Sequence, residues 1–231
     1  MTGDDVFAAA NGAIFFDLDG TLVDTAPDMV AVLAALQKDN GSVPLPYELA
    51  RASVSHGAFG LIDLAFPAVD EKERSRLHRD YLERYEHSVC IASTLFPGLT
   101  ELLDRLDGHG TPWGIVTNKP QRMTGPLLEK LGLSGRMSCA ISGDTLPQRK
   151  PHPAPLLLAC ERTGVNPSQS IYIGDDARDI VAGRAAGMTT IAAAYGYIVA
   201  GDNPALWQAD HIAADTRELA QLVLKAVSLD A

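Results

Sequence analysis

Two aspartates placed directly after an apolar run are the residues of this sequence that most clearly suggest chemistry. The apolar run covers residues 13–16, and Asp17 and Asp19 follow it two positions apart. In an extended segment, side chains at this spacing point to the same side of the chain. Two carboxylates there are costly unless a cation or a reaction compensates for their charge. Gly20 then allows a sharp turn, so a plain Asp-Gly turn is the alternative interpretation.

Two later segments add groups that could hold a phosphate. In the first, an apolar run ends in Thr117 and continues with Asn118 and the ammonium of Lys119. The hydroxyl and the backbone N–H groups after it suit phosphate oxygens, although helix capping would use the same residue types. In the second, neighbouring prolines stiffen the chain around Lys150, whose ammonium could neutralise a phosphoryl oxygen and a nearby carboxylate. A solvated basic loop is the alternative there.

A fourth segment supplies more carboxylates. After the apolar residues 171–173 come Gly174 and the pair Asp175 and Asp176, with Asp179 one helical turn further on. A few carboxylate oxygens completed by water suit Mg²⁺ better than zinc. Capping of a helix N-terminus would explain Asp176, but not why all these segments follow strand-like runs. Because open α/β sheets bind ligands at the carboxyl ends of their strands, we expect the segments to meet in one site.

The elements that must position these residues alternate between strand-like apolar runs and amphipathic helices. Leucines at positions 99, 102, 103 and 106 follow the helical spacing, and a similar pattern recurs at residues 219–223. This alternation is typical of an α/β fold with a parallel sheet. The predicted strands are residues 13–16, 113–117, 139–142, 170–174, 189–193 and 211–213.

Residues 24–94 interrupt this alternation. They contain no convincing strand and have the pattern of consecutive helices, the first of which runs from Thr25 to about residue 38. A later helix carries a stripe at four-residue spacing, formed by Leu77, Tyr81 and Tyr85. We predict that this segment is a small helical cap over the catalytic face, and that residues 1–23 and 95–231 form the core.

Length, charge and cysteine content limit the class of protein. The 231 residues can hold one sizeable core, or a core with a smaller inserted domain. The formal net charge of −10 argues against a nucleic-acid partner and against docking on an anionic membrane. Three scattered cysteines suit a reducing cytoplasm, and no apolar run reaches membrane-spanning length. We therefore expect a cytoplasmic protein without nucleic-acid or membrane partners.

Taken in order, the four segments resemble the motifs of the haloacid dehalogenase-like phosphohydrolase superfamily. The sequence contains Asp-x-Asp-Gly-Thr, then Thr-Asn-Lys, then Lys-Pro, then Gly-Asp-Asp-x-x-Asp, and the likeness spans nearly the whole chain. The resemblance implies a Rossmann-like α/β core. The helical segment looks like the type 1 cap of the phosphoglycolate phosphatase group. Residues 195–198 and 202–210 look closer to the branch of that group acting on N-acetylmuramic acid 6-phosphate.

The resemblance implies a role for each matched residue. Asp17 would attack the phosphate and form an aspartyl-phosphate, while Asp19 would protonate the leaving alkoxide and later take a proton from water. Lys150 would neutralise charge at the phosphate. Thr117 would hydrogen-bond a phosphate oxygen, and Asn118 would orient the loop or the substrate. True dehalogenases resemble this fold but lack the second aspartate, so the pair of carboxylates favours phosphoryl transfer.

The same resemblance implies a Mg²⁺ site. The ion would bind one oxygen of Asp17, the backbone carbonyl of Asp19, a carboxylate oxygen of Asp175, and water. Asp179 would act from behind these ligands by orienting a metal-bound water. On the core side, Gly20 is predicted to lie against the substrate.

Substrate choice is expected to belong to the cap, where Arg51 and His56 could meet an anionic substrate group. The alternative interpretation is equally open: Arg51 would be a solvated helix residue and His56 a packed one, and neither would contact the substrate. The predicted function is a Mg²⁺-dependent phosphatase of a small phosphorylated metabolite, either 2-phosphoglycolate or N-acetylmuramic acid 6-phosphate, active as a monomer or homodimer. A phosphomutase would share the aspartate pair and the cap but return phosphate to a sugar. A non-catalytic binding protein of this fold would lack a key residue, and none is missing.

Overall fold

A parallel sheet forms the centre of the protein, whose residues 12–229 are described by a computed structural model. Within those residues the strands are β1 (Ile14–Phe16), β2 (Val23–Asp24), β3 (Thr94–Leu95), β4 (Trp113–Val116), β5 (Cys139–Ile141), β6 (Ile171–Gly174), β7 (Thr189–Ala193) and β8 (His211–Ala213). The main sheet has the order β5-β4-β1-β6-β7-β8, and every neighbouring pair in it is parallel. The predicted α/β fold is confirmed. Each predicted strand is present within one residue of its predicted bounds.

Helices cover the sheet and fill the segment between β2 and β3. In chain order they are α1 (Ala26–Asp39), α2 (Tyr47–Ala52), α3 (Gly57–Ala65), α4 (Glu71–Ser88), α5 (Leu99–His109), α6 (Gln121–Lys130), α7 (Ala154–Thr163), α8 (Ala177–Ala186) and α9 (Thr216–Ala226). Short 3₁₀ turns lie at Val54–His56, Pro167–Gln169 and Pro204–Leu206. In the part of the chain that the structure describes, none of the helices is both long and apolar enough to cross a membrane.

The strands are apolar on both faces because both faces are buried. Ile14 and Phe16 belong to a cluster with residues of α5 and α9, whereas Phe15 belongs to a second cluster with Val116, Tyr172 and residues of α7 and α8. Parallel strands covered on both sides are near-continuous apolar runs, which makes them recognisable in the sequence. The two packed layers fix the strands, so the loops at the carboxyl edge of the sheet are presented in defined positions.

Helices α1–α4, hereafter the insert, lie between two short strands that mark where the chain leaves the core and returns. These strands pair antiparallel, with Val23 opposite Leu95 and Asp24 opposite Thr94. The sequence pattern does not predict them, because two-residue strands carry no recognisable alternation. The structure therefore differs from the prediction at the ends of the segment, while its interior is helical. The division of the chain at residues 24 and 94 stays a prediction.

A buried carboxylate ties the returning segment to the insert. Asp28 in α1 accepts hydrogen bonds from the backbone N–H groups of Ile91 (3.0 Å), Ala92 (2.8 Å) and Ser93 (2.9 Å), and from the Ser93 hydroxyl (2.5 Å). Hydrogen bonds to an ionised acceptor are stronger than those between neutral groups. The first helix of the insert and its outgoing connection are thus held together.

Candidate active site

The strand order brings the predicted segments to one edge of the sheet. Because β1 lies between β4 and β6, Asp17 after β1 is flanked by Thr117 after β4 and Asp175 after β6. The Asp17 N–H donates to the Ile173 carbonyl (2.8 Å), which fixes the backbone at that point. Lys150 reaches the same place from the loop after β5. The strands that follow β1 along the chain lie on both sides of it in the sheet. Open α/β sheets form their ligand crevices at such a point.

Lys150 is buried and uses its ammonium for three contacts. Its Nζ lies 2.8 Å from Asp17 Oδ1, 2.7 Å from Asp179 Oδ1 and 2.8 Å from the Tyr172 hydroxyl oxygen. Burial works against the charged amine, but the two carboxylates outweigh it and raise the pKa of Lys150. A permanent positive charge therefore stands next to the Asp17 carboxylate.

Three carboxylates converge beside this lysine. Ligand oxygens of Asp17, Asp175 and Asp179 lie within 4.8 Å of one another. Burial, and then the charges of Asp17 and Asp179, raise the pKa of Asp175 well above its ordinary value. Burial also raises the pKa of Asp179, to about 7, against the opposing effect of Lys150. One ammonium does not balance three carboxylates, so the cluster favours a further cation.

The donor set and its surroundings fit Mg²⁺, which prefers carboxylate oxygens. Asp17 Oδ1 is buried and receives no hydrogen bond of ordinary geometry, although it lies 2.8 Å from Lys150 Nζ. Two glycines shape the opposite side of the cluster. A Cβ at Gly20, where φ is +83°, would lie 2.1 Å from Asp175 Oδ2, and one at Gly196 would lie 2.3 Å from Asp175 Cβ. The structure thus gives Gly20 a packing role against Asp175, and its predicted contact with the substrate stays a prediction.

Replacing Asp175 with asparagine is expected to stabilise the metal-free protein and to remove its response to Mg²⁺. An amide oxygen can keep the hydrogen bonds that Asp175 Oδ2 accepts from Ser55 Oγ (2.8 Å) and the Tyr197 N–H (2.8 Å), while one of three crowded charges is lost. We expect the free energy of unfolding in EDTA to rise by about 1 kcal/mol. Thermal denaturation with and without Mg²⁺ measures both effects. The Tm of the wild type should rise with Mg²⁺.

The control for that experiment is Glu161→Gln, which removes an exposed carboxylate that is not part of the cluster. Its Tm should rise with Mg²⁺ as much as that of the wild type. A wild-type Tm that does not respond to Mg²⁺ would show that the acidic cluster is not a metal site.

Asp19 lies beside the cluster but is held by different partners. Its Oδ1 accepts hydrogen bonds from Lys119 Nζ (2.8 Å) and from Thr25 Oγ1 (2.6 Å). The Lys119 ammonium also donates to the Tyr85 hydroxyl oxygen (2.9 Å). The Asp19 side chain is therefore separate from the three converging carboxylates, and a metal contact through its backbone carbonyl stays a prediction.

Thr117 and Asn118 both form hydrogen bonds with the backbone of the loops around the site. The Thr117 hydroxyl accepts a hydrogen bond from the Lys119 N–H (3.1 Å), which leaves its own proton available to a phosphate oxygen. The Asn118 amide accepts from the Lys150 N–H (3.1 Å) and donates to the Lys150 carbonyl (3.0 Å). Of the two roles predicted for Asn118, the geometry favours orientation of the loop that carries Lys150.

A cavity of about 450 Å³ opens over these groups, between the core and the insert. Its core side is polar and charged, and it includes Asp17, Asp19, Thr117, Asn118, Lys119, Arg149, Lys150 and Arg178. Its insert side is mostly apolar and aromatic, and it includes Met29, Val54, His56, Phe59, His78 and Leu82. The cavity therefore has a charged side toward the core and a less polar side toward the insert.

A loop of the insert closes directly onto the acidic cluster. Ser55 Oγ donates to Asp175 Oδ2 (2.8 Å), and the Ser55 carbonyl accepts from Arg178 Nη2 (2.7 Å). Arg178 also pairs with Asp176. Burial alone would raise the pKa of Asp176, but the guanidinium outweighs it and lowers that pKa. His56 follows Ser55 and lines the cavity at this contact.

The structure does not bring Arg51 into the cavity. Its guanidinium carbon lies 4.8 Å from the centre of the Tyr197 ring, and its Nη1 donates to the Gly196 carbonyl at 3.5 Å. Arg51 thus holds the insert against the core, and its predicted contact with the substrate has no support in this geometry. Arg51 and His56 belong to one short stretch of sequence, and only the packing of the insert decides which of them faces the cavity.

Sequence reasoning missed Tyr85, Arg178 and the pairing of Lys119 with Asp19. Lys119 is the last residue of the predicted phosphate-binding segment, and this position was the available signal for its place in the site. Tyr85 belongs to a buried stripe, whose spacing indicates a packed face but not a contact of its hydroxyl. Arg178 lies between two aspartates that already have an interpretation.

Comparison with known proteins identifies the family. The sequence profile of the family described as Haloacid dehalogenase-like hydrolase matches residues 14–193. The chain belongs to this family, and the resemblance seen in the motifs is confirmed.

Individual relatives define the class of enzyme within it. A phosphoglycolate phosphatase of Xylella fastidiosa is 46% identical over 197 residues, which cover 85% of this chain and 86% of the relative. An N-acetylmuramic acid 6-phosphate phosphatase of Pseudomonas aeruginosa is 41% identical over 216 residues, covering 93% and 96%. The crystal structure of a "predicted phosphoglycolate phosphatase" from Haemophilus somnus has a TM-score of 0.81 and 30% identity, covering 91% of this chain and 97% of that one. Within the family, this chain is a phosphoric monoester hydrolase.

Proposed function

We propose that this phosphatase hydrolyses N-acetylmuramic acid 6-phosphate, with Asp17 as the nucleophile. The observation that carries the proposal is the cavity of about 450 Å³ beside Asp17. Pockets that enclose drug-sized ligands have volumes of about 300–1,000 Å³, and a glycolate would leave most of this space empty. The Pseudomonas relative named for the larger substrate also matches over more of the chain than the Xylella relative does.

The proposed chemistry takes place at the charged side of the cavity. Asp17 attacks the phosphorus and becomes an aspartyl-phosphate as the bond to the sugar oxygen breaks. Lys150 lowers the repulsion between the carboxylate and the phosphate. Asp19 protonates the leaving oxygen, then accepts a proton from the water that hydrolyses the aspartyl-phosphate and releases inorganic phosphate. All three residues line the same cavity, which supports these roles.

The acidic cluster would hold Mg²⁺ through Asp17 and Asp175, together with the backbone carbonyl of Asp19. When bound, the ion would supply positive charge that lowers the repulsion between the phosphate and the attacking carboxylate. Asp179 is fully buried, and it accepts hydrogen bonds from Lys150 Nζ (2.7 Å) and from the Asp176 N–H (3.2 Å). It therefore orients Lys150 and the ligands from behind.

Groups on both sides of the cavity suit a sugar that carries a carboxylate. The Phe59 and His78 rings line the cavity and stack on each other at 3.5 Å between centroids, so they add aromatic surface against which a sugar ring can pack. Arg149 is exposed and lines the cavity, and its guanidinium matches the geometry of a carboxylate such as that of the lactyl group. Such contacts with the part of the ester that does not react would distinguish the larger substrate.

A phosphate-release assay on matched substrates tests the proposal. With Mg²⁺ present, we expect kcat/KM for N-acetylmuramic acid 6-phosphate to exceed that for 2-phosphoglycolate by about 100-fold or more, which corresponds to about 3 kcal/mol of additional binding in the transition state. N-acetylglucosamine 6-phosphate has the same ring without the lactyl carboxylate, so it isolates the contribution of that group. We expect an intermediate value for it.

Three results of this assay would contradict the proposal in different ways. Preference for 2-phosphoglycolate would contradict the substrate. Equal rates with and without the lactyl group would contradict a role for Arg149 in binding it. No phosphate release from any of the esters would contradict the phosphatase mechanism itself.

A further inference from the structure

Building on the function proposed for Asp19, we propose that Tyr85 and Lys119 form a positioning pair through which the insert controls this proton-transferring carboxylate. Tyr85 belongs to α4 of the insert, whereas Lys119 and Asp19 belong to the core. The pair thus connects the insert to the core at the carboxylate of Asp19, which is proposed to transfer the proton.

The geometry at Asp19 assigns different tasks to its two oxygens. Oδ1 accepts both hydrogen bonds, from Lys119 Nζ (2.8 Å) and Thr25 Oγ1 (2.6 Å). Among the described residues, Oδ2 receives none. Because Oδ1 is anchored from two sides, Oδ2 is the oxygen free to exchange a proton with the substrate. The direction in which Oδ2 points therefore depends on where Lys119 holds Oδ1.

Lys119 is itself held by the insert. Its side chain is 4% exposed, and its Nζ donates to the Tyr85 hydroxyl oxygen (2.9 Å) and lies 4.5 Å from the centre of the Tyr85 ring. Burial opposes the charge on this amine, but Asp19 and Tyr85 outweigh it and raise its pKa. An ammonium in an apolar setting needs a polar partner for each proton. Without the Tyr85 hydroxyl, one proton of the Lys119 ammonium would lose its acceptor, and Lys119 would no longer be held in one position against Oδ1 of Asp19.

Tyr81 provides a matched control on the same helix. It lies one turn before Tyr85, is equally buried, and the two rings are 6.2 Å apart. Its hydroxyl donates to the Met29 carbonyl (3.1 Å), a contact within the insert. Tyr81→Phe and Tyr85→Phe therefore remove the same atom from similar surroundings, but only Tyr85→Phe cuts the connection to the core.

The leaving group shows whether proton donation has been impaired. A sugar alkoxide leaves only when protonated, whereas a p-nitrophenolate leaves readily without a proton. Since kcat/KM reports the steps up to formation of the aspartyl-phosphate, loss of the proton donor should affect it for the sugar ester alone. For Tyr85→Phe we expect kcat/KM to fall about 10-fold or more with the sugar phosphate and less than about 2-fold with p-nitrophenyl phosphate.

The ratio of the two kcat/KM values is the deciding quantity. Tyr81→Phe should leave the ratio at its wild-type value, even if both rates change. Lys119→Met should change the ratio in the same direction as Tyr85→Phe, and the double variant should be little worse than Lys119→Met alone, because the two residues act as a unit. Additive losses would show that they act separately and would overturn the proposal.

The remaining outcomes also give a clear answer. An unchanged ratio in Tyr85→Phe, with the rates either kept or lowered equally, would overturn the positioning pair while leaving the proposed phosphatase function intact. A wild-type enzyme inactive on both esters would contradict the proposed function and this inference with it.

Discussion

Replacing Asp17 with asparagine is expected to lower kcat by at least about 10⁴-fold while leaving the fold intact. The amide has nearly the same shape as the carboxylate, but it cannot attack phosphorus to form an aspartyl-phosphate. Asp17 also contributes one of three crowded negative charges, so its loss should not destabilise the protein. Phosphate release measures the activity, and circular dichroism with a thermal melt measures the fold.

The control for this change is Asp39→Asn, at an exposed carboxylate outside the cavity. Its kcat should equal that of the wild type. Substantial turnover in Asp17→Asn, at a level beyond contamination, would overturn the assignment of the nucleophile.

Replacing Lys150 with methionine is expected to lower both activity and stability. The ammonium is the buried partner of Asp17 and Asp179, and removing one member of a buried ion pair costs about 3–5 kcal/mol. The activity should fall by about 10²–10³-fold, as when one preorganised donor is removed from an active site. Chemical denaturation in EDTA and phosphate release in Mg²⁺ measure the two effects.

The stability loss in Lys150→Met should depend on pH in a defined direction. Without the ammonium, the buried carboxylates are destabilising only when ionised, so the deficit is present at high pH and shrinks as they take up protons at low pH. Lys72→Met, at an exposed position of α4, should cost little at any pH. A deficit in Lys150→Met that grows as the pH falls would contradict the proposed ion-pair network.

The strands that position the site could be predicted because the pattern that identifies them lies within a few consecutive residues. Residues 14–16 and 171–174 are buried on both faces, and such strands are apolar throughout and end where the carboxylates begin. The pair β2 and β3 could not be predicted, since its two-residue strands exist only because the chain crosses there twice. Sequence patterns show periodicity, and two residues contain none.

The charged centre of the site could be predicted from the order of the sequence motifs, whereas its contacts with the insert could not. Asp17, Asp175 and Lys150 follow three strands, so knowledge of a parallel sheet is enough to bring them together. The contact between Tyr85 and Lys119 depends on the tilt of α4 over the core, which no local pattern encodes. The same holds for Arg51, whose neighbour Tyr197 is distant in sequence.

The antiparallel pair of β2 and β3 at the base of the insert has a consequence for how much the length of the insert can change. Because Val23 pairs with Leu95, the chain leaves and re-enters the core one strand spacing apart, about 4.8 Å. The entropy of closing a loop depends only weakly on the number of residues in it. For the closure of the chain alone, the four helices are therefore comparable to the turn of a small hairpin. The length of this segment can therefore change at little cost to the core, provided that the contacts of Ser55 and Tyr85 with the site are kept.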